Sequence, residues 1–259
     1  MANHDCRFPI EIQPESHEQV ALAQKIANQI YPSLVIPPTQ HLSFTALTLL
    51  INKQDIALYS PYLKTTIKVD FLNGAVGYRC KRSSNKELIA RAVKLKNIKN
   101  PRVLDITAGL GRDGFILASL GYQISMVEKS PIVHLLLKDG LKRANQIPEL
   151  SEITCRIFNI YEDSIDYIYR MDKQDYPEII YMDPMFPERN KSALVKKEMQ
   201  LLQDLVGTDQ NDPLLLEVAL KYAQKRVVVK RPRLAPPIKG PNPSFALQGK
   251  SIRFDIYQT

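Results

Sequence analysis

The sequence predicts an α/β fold: a mostly parallel, twisted sheet flanked by helices, an antiparallel hairpin at its C-terminal end, and a small amino-terminal α/β appendage. Three observations carry this. From about residue 85, apolar runs alternate with amphipathic segments, the pattern of parallel strands joined by helical crossovers. A glycine-rich turn directly follows the first well-defined strand of that series. The tail breaks the alternation by bringing two strand-like runs close together.

The elements follow in order. Ser16 caps a helix carrying Val20, Ala21, Ala23, Ile26, Ala27 and Ile30 on an apolar stripe, with Glu18 in its first turn. Pro32 and the Pro37-Pro38 pair end it. Strands are expected at Ala46 to Ile51, Ile56 to Tyr59 and Thr66 to Phe71. The boundary between the amino-terminal region (residues 1–84) and the main domain (residues 85–259) falls where the alternation begins. Glu87 to Lys96 reads as a helix, Arg102 to Ile106 as a buried strand, and Phe115 to Leu120 as part of the helix after the glycine turn. Gln123 to Val127 is the next strand. Pro131, suited to a first helical position, opens the helix containing Val133, Leu136, Leu137 and Leu141. Ile153 to Phe158 and Glu178 to Met182 read as strands, Ser192 to Val206 and Pro213 to Gln224 as helices, and Arg226 to Lys230 as a strand. Ser244 to Leu247 and Arg253 to Tyr257 form the terminal hairpin.

At 259 residues the chain can bury a substantial core. Its net charge of +8, spread along the sequence, fits a globular protein with a polyanionic partner. Cys6, Cys80 and Cys155 form no CxxC, which argues against a disulfide framework or zinc ribbon and for a reducing compartment. His4, His17, His41 and His134 lack ligand spacing, so no metal site is expected. No apolar run approaches the ~20 residues of a membrane span, and the amino terminus lacks a secretory pattern. A cytoplasmic monomer without membrane attachment is the expectation.

Three segments carry chemistry. In Asp105-Ile106-Thr107-Ala108-Gly109-Leu110-Gly111-Arg112-Asp113-Gly114 the glycines satisfy GxGxxG, a turn that lets backbone approach a nucleotide. Asp105 stands at the strand end, where a carboxylate can receive a cationic ligand. Glu128 ends the next strand, at the offset of an acidic residue that accepts ribose hydroxyls. In Asp183-Pro184-Met185-Phe186-Pro187 the prolines stiffen a loop that holds an acceptor beside an aromatic ring. That pairing suits a nucleobase, the ring stacking on its face and the acceptor taking an exocyclic N–H.

These segments resemble the class I, Rossmann-like S-adenosylmethionine-dependent methyltransferases. Asp183-Pro184-Met185-Phe186 is similar to the (D/N)PP(Y/F) loop of amino-group methyltransferases, with Met185 replacing the second proline. Longer words, among them DITAGLGRD, DPMFP, KSALVKKEM, KRVVVKRP, Ala235-Pro236-Pro237 and Arg253 to Tyr257, resemble bacterial guanine-N2 methyltransferases of small-subunit (16S) ribosomal RNA. The resemblance is strong from about residue 65 onward. It implies methylation of a guanine N2 near the decoding-region 3′ end, with small-subunit RNA or a 30S-type particle as partner. It places S-adenosylmethionine against Arg112-Asp113, Glu128-Lys129 and Asp183, beside Asp105, Gly109 and Gly111. A small polar dipeptide of the family falls near Ile160-Tyr161, where this chain instead reads Phe158-Asn159-Ile160-Tyr161; there, backbone N–H groups and Asn159 remain as adenine contacts.

Asp183 is the expected catalytic residue and Phe186 the stacking platform. Arg79, Lys81, Arg82, Lys191, Lys196, Lys197, Lys230, Arg231 and Arg233 are the expected RNA surface. Three other readings stand beside this one. A nicotinamide-dependent oxidoreductase would explain the glycines and Glu128 but not DPMFP. A non-catalytic ribosomal-RNA-binding assembly factor would explain the charge alone, and amino-group methylation of protein or DNA shares the loop chemistry.

Overall fold

In the computed structural model of the chain, the described residues are 10–30, 33–40, 46–73, 76–77, 79–80, 87–99, 101–185, 193–206 and 211–259. By internal contacts they form two units: residues 1–69, 130–143 and 187–208, and residues 70–129, 144–186 and 209–259.

The first unit holds a five-stranded sheet in the order β2-β1-β3-β4-β5. Its strands are β1 (Ile10–Pro14), β2 (Ser33–Val35), β3 (Leu47–Ile51), β4 (Ile56–Ser60) and β5 (Thr65–Ile67). β1 runs parallel to β2 and β3, while β3, β4 and β5 form an antiparallel meander. The expected strand at Thr66 to Phe71 is thus shorter, and β1 and β2 lay outside the sequence reading. Ser16 makes a capping box with Gln19, starting a 3-10 turn at His17–Gln19 that leads into α1 (Val20–Ala27). Ala23 and Ile26 are the buried stripe of that helix. In the same unit, the helical segment from Pro131 packs Gly140 so closely on Val69 that a Cβ would lie 2.4 Å from a Val69 methyl. Arg143 pins this approach by donating to the Val69 carbonyl and, at 2.8 Å, to Asp139.

The second unit is built on a seven-stranded sheet ordered β11-β12-β10-β9-β6-β7-β8. The strands are β6 (Arg102–Asp105), β7 (Gln123–Glu128), β8 (Ile157–Tyr161), β9 (Ile179–Met182), β10 (Arg226–Pro232), β11 (Phe245–Gln248) and β12 (Ile252–Gln258). The five from β8 to β10 are parallel; β12 and β11 close the sheet as an antiparallel hairpin. Among the described residues the helices after α1 include α2 (Leu88–Val93), α3 (Arg112–Ser119), α4 (Pro131–Asn145), α5 (Pro148–Thr154), α6 (Ser164–Arg170), α7 (Ala193–Val206) and α8 (Asp212–Tyr222). Among the described residues no helix is long and apolar enough to cross a membrane.

Why the strands read as unbroken apolar runs is now visible: both sheet faces are covered. Leu104, Ile180, Met182, Val227 and Val229 pack with Ile168 of α6 and with Leu216 and Ala219 of α8. Residues of opposite parity, such as Met126 and Tyr181, meet α3. One expected strand is corrected. Ile153 belongs to α5, because Pro148 starts a helix at its first position, and the strand begins only at Ile157.

The strand order reverses between β6 and β9: from β6 the chain proceeds through β7 to β8, and from β9 through β10 to the hairpin. Ligands of open α/β sheets bind in the crevice at such a point, beyond the C-terminal strand ends.

Candidate active site

β6 ends at Asp105 and the chain turns through Gly109 and Gly111, at φ 53° and 71°, into α3. That left-handed backbone strains any residue with a Cβ. At Gly109 an added Cβ would meet no atom of the described residues closer than 3.9 Å, so their packing leaves the space beside this bend open. The bend is tied to β7: the Gly109 N–H donates to Glu128 Oε2 at 2.9 Å, and the Ala108 N–H to the Val127 carbonyl at 3.2 Å.

Asp105 is only 2% exposed. Its carboxyl accepts from the Thr107 N–H at 3.1 Å, and burial pushes it up to about 8, with Asp113 and Asp183 adding to the rise. Asp105 therefore locks the loop from beneath. Thr107 performs a second task, its hydroxyl accepting the Asp183 N–H at 2.6 Å. This bond joins the loop after β6 to the loop after β9, and Thr107 was missed in the sequence because a lone threonine in a glycine turn carries no spacing signal.

Asp183 directly follows β9. Lys230, from β10, places its Nζ 2.7 Å from Asp183 Oδ2 and 2.7 Å from Asp113 Oδ2. The Tyr181 hydroxyl donates to the same Asp113 oxygen at 2.6 Å, and Arg79 stands 3.9 Å from the other. One ammonium thus bridges two carboxylates. Burial works against the charge on Lys230, but the two aspartates hold it well above the ordinary lysine range. Against the cost of burial, Lys230, Tyr181 and Arg79 keep Asp113 below the usual carboxylate range. The Tyr181 phenol, raised by burial and by Asp113, stays protonated and donates. Desolvation pushes Asp183 up to about 6 and the charge of Asp113 reinforces this, with Lys230 pulling the other way. Its side chain is nevertheless 40% exposed, and among the described residues Oδ1 has no hydrogen-bond partner. Asp183 is therefore both held and presented.

Several of the remaining expected residues lie on β7, β8 and α3, beside the same edge. Glu128 is buried; Lys129 is half-buried just beyond it. Tyr161 pairs with Glu128, and Ile160 with Val127, in the β7–β8 register. Tyr161 is exposed and Ile160 packs partly against the core. Asn159 buries both amide atoms with no hydrogen-bond partner among the described residues. Arg112 is exposed at the start of α3. Phe186, Lys81, Arg82 and Lys191 lie outside the described residues, as does the side chain of Lys196.

Two members of the expected RNA surface are corrected. Lys230 is spent between Asp113 and Asp183, and Arg231 is buried, donating to the Pro236 carbonyl at 3.0 Å. Strand alternation points Lys230 to the face that carries Tyr181 and Asp183, and a count of basic residues cannot show this. Arg233 and Arg79 are solvent-accessible.

With its switch point opening onto carboxylates gathered around one lysine, this half of the chain has the architecture of a Rossmann-like methyltransferase. The chain belongs to the SAM-dependent methyltransferase family SAM_MT, which it matches over residues 38–259. S-adenosylmethionine is its cofactor. A protein of Nitrosococcus oceani named "Ribosomal RNA small subunit methyltransferase J" is 45% identical over 95% of this chain and 96% of its own length. One of the same name from Pseudomonas aeruginosa is 50% identical over 74% of this chain and 73% of its own. The crystal structure of a SAM-dependent methyltransferase from Neisseria gonorrhoeae is similar at 34% identity, covering 96% of this chain and 95% of that one, with a TM-score of 0.73. These relatives give no support to the nicotinamide-dependent alternative.

Proposed function

We propose that the chain methylates the N2 amino group of a guanine in small-subunit ribosomal RNA. One observation carries the chemistry: Asp183 has Oδ2 fixed by Lys230 and its backbone N–H fixed by Thr107, leaving Oδ1 to accept an N–H at the open cleft. The names of the relatives at 43–50% identity supply the substrate class.

The residues fit the cofactor. Open space beside Gly109, left-handed backbone at Gly109 and Gly111, and the Glu128 carboxylate behind them suit an adenosine whose ribose hydroxyls donate to an acid. Arg112, Asp113, Lys129, Ile160 and Tyr161 complete that rim, and Asp105 serves it from below by holding the loop. When bound, S-adenosylmethionine supplies a methyl group on a sulfonium, open to in-line displacement.

The guanine amino lone pair is delocalised into the ring, so the amine is a weak nucleophile. Asp183 accepting one of its N–H bonds orients the nitrogen and offsets the positive charge that develops during attack. Phe186 stacks on the base, which first leaves its neighbours at a cost of a few kcal/mol. Arg79, Arg233 and Lys197 supply phosphate contacts, which give affinity and salt dependence without sequence choice. A monomer in the cytoplasm suffices for this reading.

The test is direct. The purified protein, S-adenosylmethionine and 30S particles from cells lacking the gene should yield one new N2-methylguanine on mass mapping of the RNA. A methyl group on another atom, or none, sinks the assignment.

A further inference from the structure

The segment after β10 reads Pro232-Arg233-Leu234-Ala235-Pro236-Pro237-Ile238-Lys239-Gly240-Pro241-Asn242-Pro243, and nothing in the cofactor chemistry requires it. Three features set it apart. It is held from below by buried charge. Arg253 makes a two-bond fork with Asp255, at 2.7 and 2.9 Å, and turns Nη1 to the carbonyls of Pro232, Arg233 and Ala235. Arg231 holds the Pro236 carbonyl at 3.0 Å. Arg231, Arg253 and Asp255 are all buried, and Ile238 anchors the far side of the loop in the core cluster. The loop is also stiff by composition, with five prolines over residues 232–243, each fixing one backbone angle before any partner arrives.

The tip of this braced loop is apolar and open, with Leu234 93% exposed. A single exposed leucine on a floppy surface would need no explanation. Here burying an ion pair costs free energy, and the cost goes into fixing the backbone on either side of Leu234. The surroundings are cationic: residues 218–254 contain nine lysines and arginines and no aspartate or glutamate. Arg233, adjacent to the leucine in sequence, and Lys239, five residues on, are both exposed. The position matters as well. β10 pairs in parallel with β9, Val229 opposite Met182, so Lys230 lies level with Asp183. β10 ends at Pro232, and a turn closed by the Ala235 N–H on the Pro232 carbonyl at 3.1 Å carries Leu234, just past the C-terminal edge where the candidate amine acceptor sits.

We infer that Arg233–Gly240 is a preformed RNA-contacting arm that lays Leu234 against the face of a nucleobase beside the guanine to be methylated, while Arg233 and Lys239 take phosphates. The inference rests on the ribosomal RNA reading above and adds to it where, and by what contact, the RNA is held open. Apolar wedges between base steps are a recurrent way to unstack a nucleic acid. A wedge works best when its own ordering cost has been met in advance, which the arginine and proline bracing accomplishes.

The experiment uses the whole protein with small-subunit RNA carrying 2-aminopurine next to the mapped methylguanine. Wild-type protein should raise the 2-aminopurine fluorescence as the neighbouring base unstacks. Leu234→Ala should abolish that rise and lower kcat/KM for RNA about tenfold, with S-adenosylmethionine affinity unchanged. Because no phosphate contact is lost, the slope of RNA affinity against salt should stay the same in Leu234→Ala and fall by about one in Arg233→Ala. Leu234→Lys separates charge from wedge: if it methylates as well as wild type, or if Leu234→Ala does, the arm is overturned while the assigned reaction stands. Wild-type protein that binds no ribosomal RNA overturns both.

Discussion

The two sheets treat buried polar groups differently. In the five-stranded sheet the buried polar side chains of the strands are, among the described residues, the uncharged Thr48 and Ser60. The seven-stranded sheet buries Asp105, Glu128, Arg231, Arg253 and Asp255 within its strands. Buried charge weakens a fold unless well paired, so a sheet that tolerates five such groups is using them for something besides stability. Each is committed to a loop at or near the switch-point edge: Asp105 and Glu128 to the glycine bend, and Arg231, Arg253 and Asp255 to the braced loop after β10. The five-stranded sheet shows the opposite economy, with Ile12, Leu47, Leu49, Ile51 and Leu58 sealed from solvent.

This contrast can be broken by mutation. Asp183→Ala should lower kcat for RNA methylation by about 10²–10³, the usual cost of removing one group that stabilises developing charge, with an unchanged melting temperature. A variant within threefold of wild type would mean that the charged edge is not catalytic. In the other sheet, Leu49→Ala should cost about 2–5 kcal/mol of stability while the folded fraction keeps its S-adenosylmethionine affinity; denaturant titration and calorimetry read the two separately. Lys230→Met should lower kcat about tenfold, and its pH profile gives the cause. Asp183, raised to about 6, must be ionised to accept the amine proton, so wild-type kcat should fall as pH drops through about 6. Lys230 favours the ionised form, so its removal should move that limb to higher pH, which a merely structural lysine would not do. Thr107→Val is the mildest of the set, with roughly fivefold lost through a single hydrogen bond to the loop. Most of the loss should appear in kcat and little in the RNA KM.

Much of this edge was legible in the sequence, because its members sit at strand ends and strand ends are marked by apolar runs that stop. Asp105, Glu128 and Asp183 each close such a run, and the strand order did the rest. What stayed hidden depends on contacts between elements distant in sequence. Lys230 lies 47 residues from Asp183 and 117 from Asp113, so its basic word reads as surface until β10 is placed beside β9. Even so, alternation along β10 held a clue: Val227 and Val229 share the face of the α6–α8 core, which turns Lys230 toward Tyr181. β8 was misplaced for a different reason. Ile153 and Ile157 look alike as apolar residues, and only Pro148 separates the helix that precedes the strand. The first region yielded β3 and β4 but not β1 and β2, the latter just three residues long and too short for period-two alternation to register.

The ammonium of Lys230, fastened to the backbone and seated between two acids, bears on inhibitor design. A competitor that enters the cleft with its own amine must displace a cation that never diffuses away, and so faces an opponent of very high local concentration. Neutral amide or hydroxyl donors aimed at the outer oxygen of Asp183 avoid that contest.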